Sequence, residues 1–212
     1  GADVIVLAVK PKIVRSVAAE IAPLITDQLV LSIAAGIPLH ALNAWFGETA
    51  SIVRCMPNTP ALIGAGISGL VRNMRTSDIQ AELAHRILGC AGEVLWFEEE
   101  ADLDAVTAIS GSGPAYIFYL IEAMIRAAIE LGLTPETARK LTLNTVLGGA
   151  KMAINSDDDP ETLRRNVTSP GGTTERAVAV FDHESMNETI VRAITEAHKR
   201  SIELSQEADN DV

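Results

Sequence analysis

Asp3-Val4-Ile5-Val6-Leu7-Ala8-Val9 is an aliphatic, largely β-branched run behind a single acid, and its reading decides the fold class. A strand that alternates apolar and polar residues keeps one face in water. An unbroken apolar strand is buried on both faces, as in a parallel sheet covered by helices. Lys10-Pro11 ends the run, and Ile13, Val14, Val17, Ala18, Ile21 and Leu24 then recur at helical spacing. Leu29 to Ala35 reads as a second apolar strand closed by Gly36, Leu39 to Phe46 as a short helix, and Ser51 to Met56 as a third strand. Strands and helices alternating in this way predict an open α/β sheet. A doubly buried strand is an unusual way to begin a domain, so the first half of the sheet is expected upstream of Gly1.

Further along, Gly64-Ala65-Gly66-Ile67-Ser68-Gly69 matches GxGxxG in form. A dinucleotide fingerprint must follow a strand and open a helix. Pro57 and Pro60 interrupt the lead-in and Leu70-Val71-Arg72-Asn73-Met74 opens no helix, so a Gly-rich strand or loop is expected instead. Asp78 to Cys90 is an amphipathic helix and Glu93 to Phe97 a strand, after which everything reads as helical. The expected organisation is a sheet domain over residues 1–98 and an all-helical domain over 99–212. In the latter, Ala115 to Met124 is apolar on every face apart from Glu122. So small a domain cannot enclose such a helix, which predicts a second subunit over it.

The net charge of −11 argues against a nucleic-acid surface. Cys55 and Cys90 stand far apart in no metal-ligand pattern and fit a reducing compartment; no metal is expected. No segment reads as a signal peptide or a membrane span, so the expected location is cytoplasmic. The runs Glu98-Glu99-Glu100, Asp157-Asp158-Asp159 and Glu207 to Asp211 read as solvated faces or tails.

No metal-ligand cluster, GxSxG elbow or phosphate-binding P-loop is present. What the sequence does offer is a set of Gly/Pro/Ser/Thr loops at element ends. Ala8 to Pro11, Ala34 to Gly36 and Cys55 to Pro60 each follow a strand, where open α/β sheets bind their ligands. Ser110 to Tyr116 and Asn166 to Thr174 lie in the helical part. In the last of these, Pro170, Gly171 and Gly172 lead into Thr173 and Thr174, read as N-cap hydroxyls for a helix from Glu175 to Phe181. Amides at such a helix entrance suit a small carboxylate or phosphate.

Ala8-Val9-Lys10-Pro11, Arg54-Cys55-Met56-Pro57-Asn58-Thr59-Pro60, Ser110-Gly111-Ser112-Gly113-Pro114-Ala115-Tyr116 and Ser169-Pro170-Gly171-Gly172-Thr173-Thr174 together resemble the signature segments of pyrroline-5-carboxylate reductases, in that family's order. The resemblance runs from about Asp3 to Gln206. It implies a partial Rossmann-type doubly wound sheet followed by an all-helical dimerisation domain, in a homodimer or higher homo-oligomer with no nucleic-acid or membrane partner. It implies hydride transfer from NADPH (NADH possible) to the C=N bond of 1-pyrroline-5-carboxylate, giving L-proline. By the same resemblance Ala8, Val9, Lys10, Pro11, Ile33, Ala34, Ala35 and Asn166 would bind the cofactor. Glu100, Gly171, Gly172, Thr173 and Thr174 would face the substrate, with the Thr174 hydroxyl as the catalytic contact to the ring nitrogen and Glu100 favouring the iminium charge. The family's own Gly-rich fingerprint is absent from these residues, which leaves a second expectation, a catalytically silent fragment that keeps the helical module.

Overall fold

The computed structural model describes residues 1–209. Its sheet runs in the order β1-β2-β3-β4-β5, with β1 Val4–Leu7, β2 Leu29–Ser32, β3 Ser51–Met56, β4 Gly66–Arg72 and β5 Gly92–Trp96. The first three strands are mutually parallel, joined through α1 (Pro11–Ile21) and α2 (Leu39–Phe46). Then the direction changes. β4 runs antiparallel to β3, and β5 runs parallel to β4. Connection length explains both. Only a short 3₁₀ turn, Thr59–Ile63, separates β3 from β4, whereas a parallel return needs a crossover of about a dozen residues or more. Between β4 and β5 the helix α3 (Asp78–Gly89) supplies that crossover, started by a capping box between Ser77 and Gln80. The GxGxxG match therefore opens no helix: Gly64 and Ala65 lead into β4, which holds Gly66 to Gly69, in line with the expected Gly-rich strand or loop.

The sheet carries an apolar layer on each side. Leu7, Val14, Ala18, Val30, Leu42, Ile52, Val71 and Leu103 pack on one face, and Leu29, Leu31, Val53, Cys55, Leu70 and Ala84 on the other. All four residues of β2 are buried. Among the described residues β1 ends the strand order, and there Val6 is 47% exposed.

Two compact units emerge, Gly1–Pro114 with the segment from Ile194 onward, and Ala115–Ala193. The first contains the sheet, α4 (Asp102–Val106) and the later part of α9 (Met186–Asp209). There Ala208 joins the core of Val14, Ala18, Ile37 and Leu39, and the Ser201 hydroxyl donates to Asp104 at 2.6 Å. The expected acidic tail is helical as far as it is described, with Glu207 paired to Arg200 at 2.9 Å. Asn210 and Asp211 lie outside the described residues.

The second unit is built from α5 (Gly113–Glu130), α6 (Pro135–Ile154), α7 (Pro160–Asn166), α8 (Thr173–His183) and the start of α9. Side-chain caps start two of these: Thr134 accepts from the Thr137 amide at 3.3 Å and Asp159 from the Thr162 amide at 2.7 Å. Within this chain α5 has no fully buried residue, and Phe118 and Tyr119 are 59% and 78% exposed.

One expectation needs correction. Ser110 to Tyr116 is not a loop: residues Thr107–Gly111 form a π-helical turn that links α4 to α5. The stretch Asp102–Glu130 is consequently long and apolar enough, by length and composition, to cross a membrane. Gly and Ser signalled a break there, but a π turn satisfies its amides within the helix, as the Ser112 amide does on Thr107 at 2.8 Å.

A polar knot holds the turn after β4. Asn73 accepts from the amides of Ile52 and Thr76, both at 3.1 Å, and donates to Asn43 at 2.8 Å and to the Ala50 carbonyl at 2.9 Å. Replacing Asn73 with Ala leaves several of these groups unpaired at about 1–3 kcal/mol for each one buried. The expected result in urea is a midpoint lowered by more than a typical surface substitution lowers it, with an unchanged slope.

Candidate active site

The parallel strands end level with one another: Leu7 is in register with Ser32, and Ser32 with Arg54. Loops leaving that end of an open sheet form the usual ligand crevice. The sequence-predicted cofactor residues of the first unit all sit there. Ala8 and Val9 leave β1, Lys10 is the N-cap of α1 and Pro11 its first residue. Ile33, Ala34 and Ala35 leave β2, anchored by an Ile33 amide bond to the Leu7 carbonyl at 3.1 Å and an Ala34 amide bond to the Ser32 hydroxyl at 3.4 Å.

These residues suit a dinucleotide on structural grounds. Ala8, Lys10 and Ala35 are exposed, so backbone and a cation are open to a ligand. No side chain caps the start of α1, which leaves its first-turn amides to an anion. Small residues at 8, 34 and 35 keep the space above the strand ends clear.

Beside this crevice stands an arrangement that the sequence did not reveal. Arg54 is 6% exposed, and its Nη1 donates to Glu100 Oε1 at 2.5 Å. The same oxygen accepts from the amide of Leu39, the first residue of α2, at 2.7 Å. Glu100 is thus engaged with a buried guanidinium and a helix start. An anion already neutralised by an ion pair adds little field for an iminium. Nothing in Arg54-Cys55-Met56 signals a partner so far along the chain. Following β3, Asn58 Oδ1 accepts from the Ile67 amide at 3.0 Å and fixes the Pro-rich turn. Gly111 of the π turn leaves room for Met56, whose Cε would lie 2.5 Å from a Cβ placed there.

In the second unit, Asn166 closes α7 and is exposed. The Ser-Pro-Gly-Gly-Thr loop turns through Gly171 at φ 73°, and the Gly172 amide donates to the Ser169 carbonyl at 3.0 Å. The predicted N-cap is corrected by the structure. Gly172 holds that position, Thr173 and Thr174 are the first two helical residues, and no side chain caps the helix. Gly172 adopts the extended geometry of a cap at φ −82°, ψ 173°, which frees both hydroxyls from capping. The amides of Thr173, Thr174 and Glu175 still open α8 and lack intrahelical acceptors. Glu175 reaches back, its Oε2 taking the Gly171 amide at 2.8 Å. An acid at the third helical position is the signal that could have exposed this contact.

Other nucleophiles recede. Burial pushes the Cys55 thiol up to about 12, against a smaller lowering by its hydrogen bond with Ser68. A thiol so raised stays protonated at neutral pH. Cys90 is exposed. Among the described residues no group of three or more His, Cys, Asp or Glu is placed to hold a metal ion.

A five-stranded sheet with a crevice at its parallel strand ends, together with a separate helical unit, suits the class of NAD(P)-dependent oxidoreductases that join a Rossmann-type domain to an all-α one. The comparisons narrow it. A model described as pyrroline-5-carboxylate reductase dimerisation matches residues 100–204, and one described as NADP oxidoreductase, coenzyme F420-dependent, matches residues 1–36. The chain is 49% identical to the pyrroline-5-carboxylate reductase of Pseudomonas aeruginosa over 97% of its own length and 76% of that relative's. Two solved structures superpose with a TM-score of 0.91: a pyrroline-5-carboxylate reductase from Coxiella burnetii, 43% identical over 97% of this chain and 77% of the other, and a Plasmodium falciparum pyrroline carboxylate reductase with NADP bound, 34% identical over 96% and 78%. The chain belongs to the pyrroline-5-carboxylate reductase family.

The cysteine environments give a direct check. An aromatic disulfide reagent at neutral pH is expected to titrate one thiol, Cys90, in the folded protein and a second only after denaturation. Fast reaction of both in the native state would contradict the buried, protonated Cys55.

Proposed function

We propose that the chain carries out the activity of its family, reduction of the C=N bond of 1-pyrroline-5-carboxylate to L-proline, in the cytoplasm and as a homo-oligomer. The observation that carries this reading is the coexistence of two site types in one chain. One is a crevice at the ends of three parallel strands, and the other is a Gly-Gly loop opening an uncapped helix.

NADPH, or NADH, supplies the hydride. Ala8, Val9, Lys10 and Pro11 hold its ribose and phosphate region, with Lys10 and the start of α1 taking negative charge. Ile33, Ala34 and Ala35 would bind it as well, and the family resemblance adds Asn166 to the cofactor residues. Gly171, Gly172 and Thr173 bind the substrate carboxylate through backbone amides at the positive end of α8.

A protonated cyclic imine is already electrophilic at the carbon that accepts hydride. Its reduction therefore asks mainly for positioning and for a hydrogen-bond partner at the ring nitrogen. Thr174 fits that role: it is exposed on the first turn of α8, and its hydroxyl has no hydrogen bond among the described residues. The amine formed is stabilised by the same contact, and no metal or acid–base dyad is required.

Two substitutions probe the loop. Thr174→Ala is expected to lower kcat by about 10²-fold, the low end for losing one preorganised hydrogen-bond partner of the reacting group, with the thermal midpoint unchanged. Undiminished turnover in an assay of NADPH oxidation removes the role. Glu175 competes with an incoming carboxylate for the Gly171 amide. Glu175→Ala is thus expected to lower KM for the substrate by about 2–5-fold, matching a helix-terminus charge interaction of about 0.3–1 kcal/mol. A raised KM would show instead that Glu175 shapes the loop for binding.

A further inference from the structure

We propose that Arg54 and Glu100 form a positioning clamp that sets the cofactor-facing turn between β2 and α2, and that Glu100 acts there and not on the substrate. The inference rests on the assignment of residues 33–35 to the cofactor crevice.

The geometry is specific. Arg54 lies at the carboxyl end of the parallel strands, between Ser32 on β2 and Val71 on β4 in the register. Its side chain is 7% exposed and that of Glu100 is 29% exposed. A buried guanidinium needs a partner, and Glu100, which precedes α4, supplies it at 2.5 Å. The second bond, from the Leu39 amide to the same oxygen at 2.7 Å, gives the pair a task. Pro38, at the N-cap of α2, has no side-chain acceptor to offer, so Glu100 caps this helix from another part of the chain. An anion at that place also meets the positive end of the helix dipole.

Between Ser32 and Leu39 the backbone has few ways to move. Ser32 is fixed in the sheet and holds the Ala34 amide, and Leu39 is fixed by Glu100. Gly36 turns at φ 74°, with Leu204 of α9 3.4 Å from where a Cβ would stand. Ala34 and Ala35 are therefore held from both sides, and the Glu100 end depends on a charge that Arg54 keeps in place. A buried ion pair contributes little net stability compared with well-packed apolar residues, so its use here is geometric. Arg is suited to this, because its planar fork fixes direction where Lys offers a mobile point charge.

The test measures NADP+ affinity by titration calorimetry and, separately, KM for each substrate. Removing one partner alone would strand a buried charge, so the main variant is the double replacement Arg54→Met with Glu100→Gln. It keeps an amide oxygen for Leu39 and removes both charges. The clamp predicts an NADP+ Kd weakened about tenfold, with KM for pyrroline-5-carboxylate changed less than twofold and an unaltered circular dichroism spectrum. Arg54→Lys should fall between this variant and the wild type. Should the double variant fail to fold, Arg54→Lys carries the same test alone. Ala35→Asp serves as the control for the crevice, since an added carboxylate there repels a phosphorylated cofactor. If Ala35→Asp weakens NADP+ while the clamp variants leave it untouched, the clamp is wrong and the crevice stands. If none of them matters, the crevice assignment fails and the clamp with it. A rise in the pyrroline-5-carboxylate KM alone would return Glu100 to the substrate and overturn the proposal.

Discussion

A guanidinium held at 6% exposure within an aliphatic sheet is the constraint around which the first unit is arranged. Water no longer stabilises the charge of Arg54, so a carboxylate must come to it, and only Glu100 does among the described ion pairs. Glu100 belongs to the segment between β5 and α4, while its second donor, Leu39, begins α2. One oxygen atom therefore ties the middle strand to a helix start before it and to the chain leaving the sheet after it. The interaction falls where the parallel strands end, which is also where the residues proposed for the cofactor gather. Stability of the sheet comes from its two apolar layers; the ion pair contributes direction.

Much of this unit was legible because burial leaves a compositional trace. The β-branched runs of β1, β2 and β3 and the spacing of Val14 and Ala18 on α1 follow from which faces must avoid water. Strand direction leaves no such trace: Gly66 to Arg72 looks the same whichever way it runs, and the short turn ahead of it decides. Burial itself can mislead when a strand is read alone. Val6 belongs to a run as apolar as β2, and among the described residues it is half exposed where β1 ends the strand order.

The site was legible as loops and illegible as contacts. Ala8 to Pro11 and Ala34 to Gly36 could be read as crevice loops because ligand crevices follow strand ends. The pairing of Arg54 with Glu100 could not, since Glu100 stands in an acidic run that resembles any solvated face. At α8 the error was one of position. Two threonines after two glycines look like caps, but an extended Gly172 takes the cap, Glu175 takes the Gly171 amide, and the hydroxyls are left for other work. At the π turn, Ser and Gly signalled a break that a wider helical turn absorbs.

The helix α5 shows how one composition serves two physical demands. Its length and apolarity meet the criterion for crossing a membrane, and the same qualities suit a helix that a second protein surface covers. Charge placement separates the two. Glu122, Arg126 and Glu130 recur at every fourth residue, so they form one stripe along the helix. A helix at a protein interface can keep that whole stripe in water, where its charges cost least. Ile117, Phe118, Tyr119 and Leu120 are uncovered within this chain. Their segment lies inside the region matched by the dimerisation model. An exposed apolar face of this kind marks an interaction site, and a second protein surface over α5 would remove it from water.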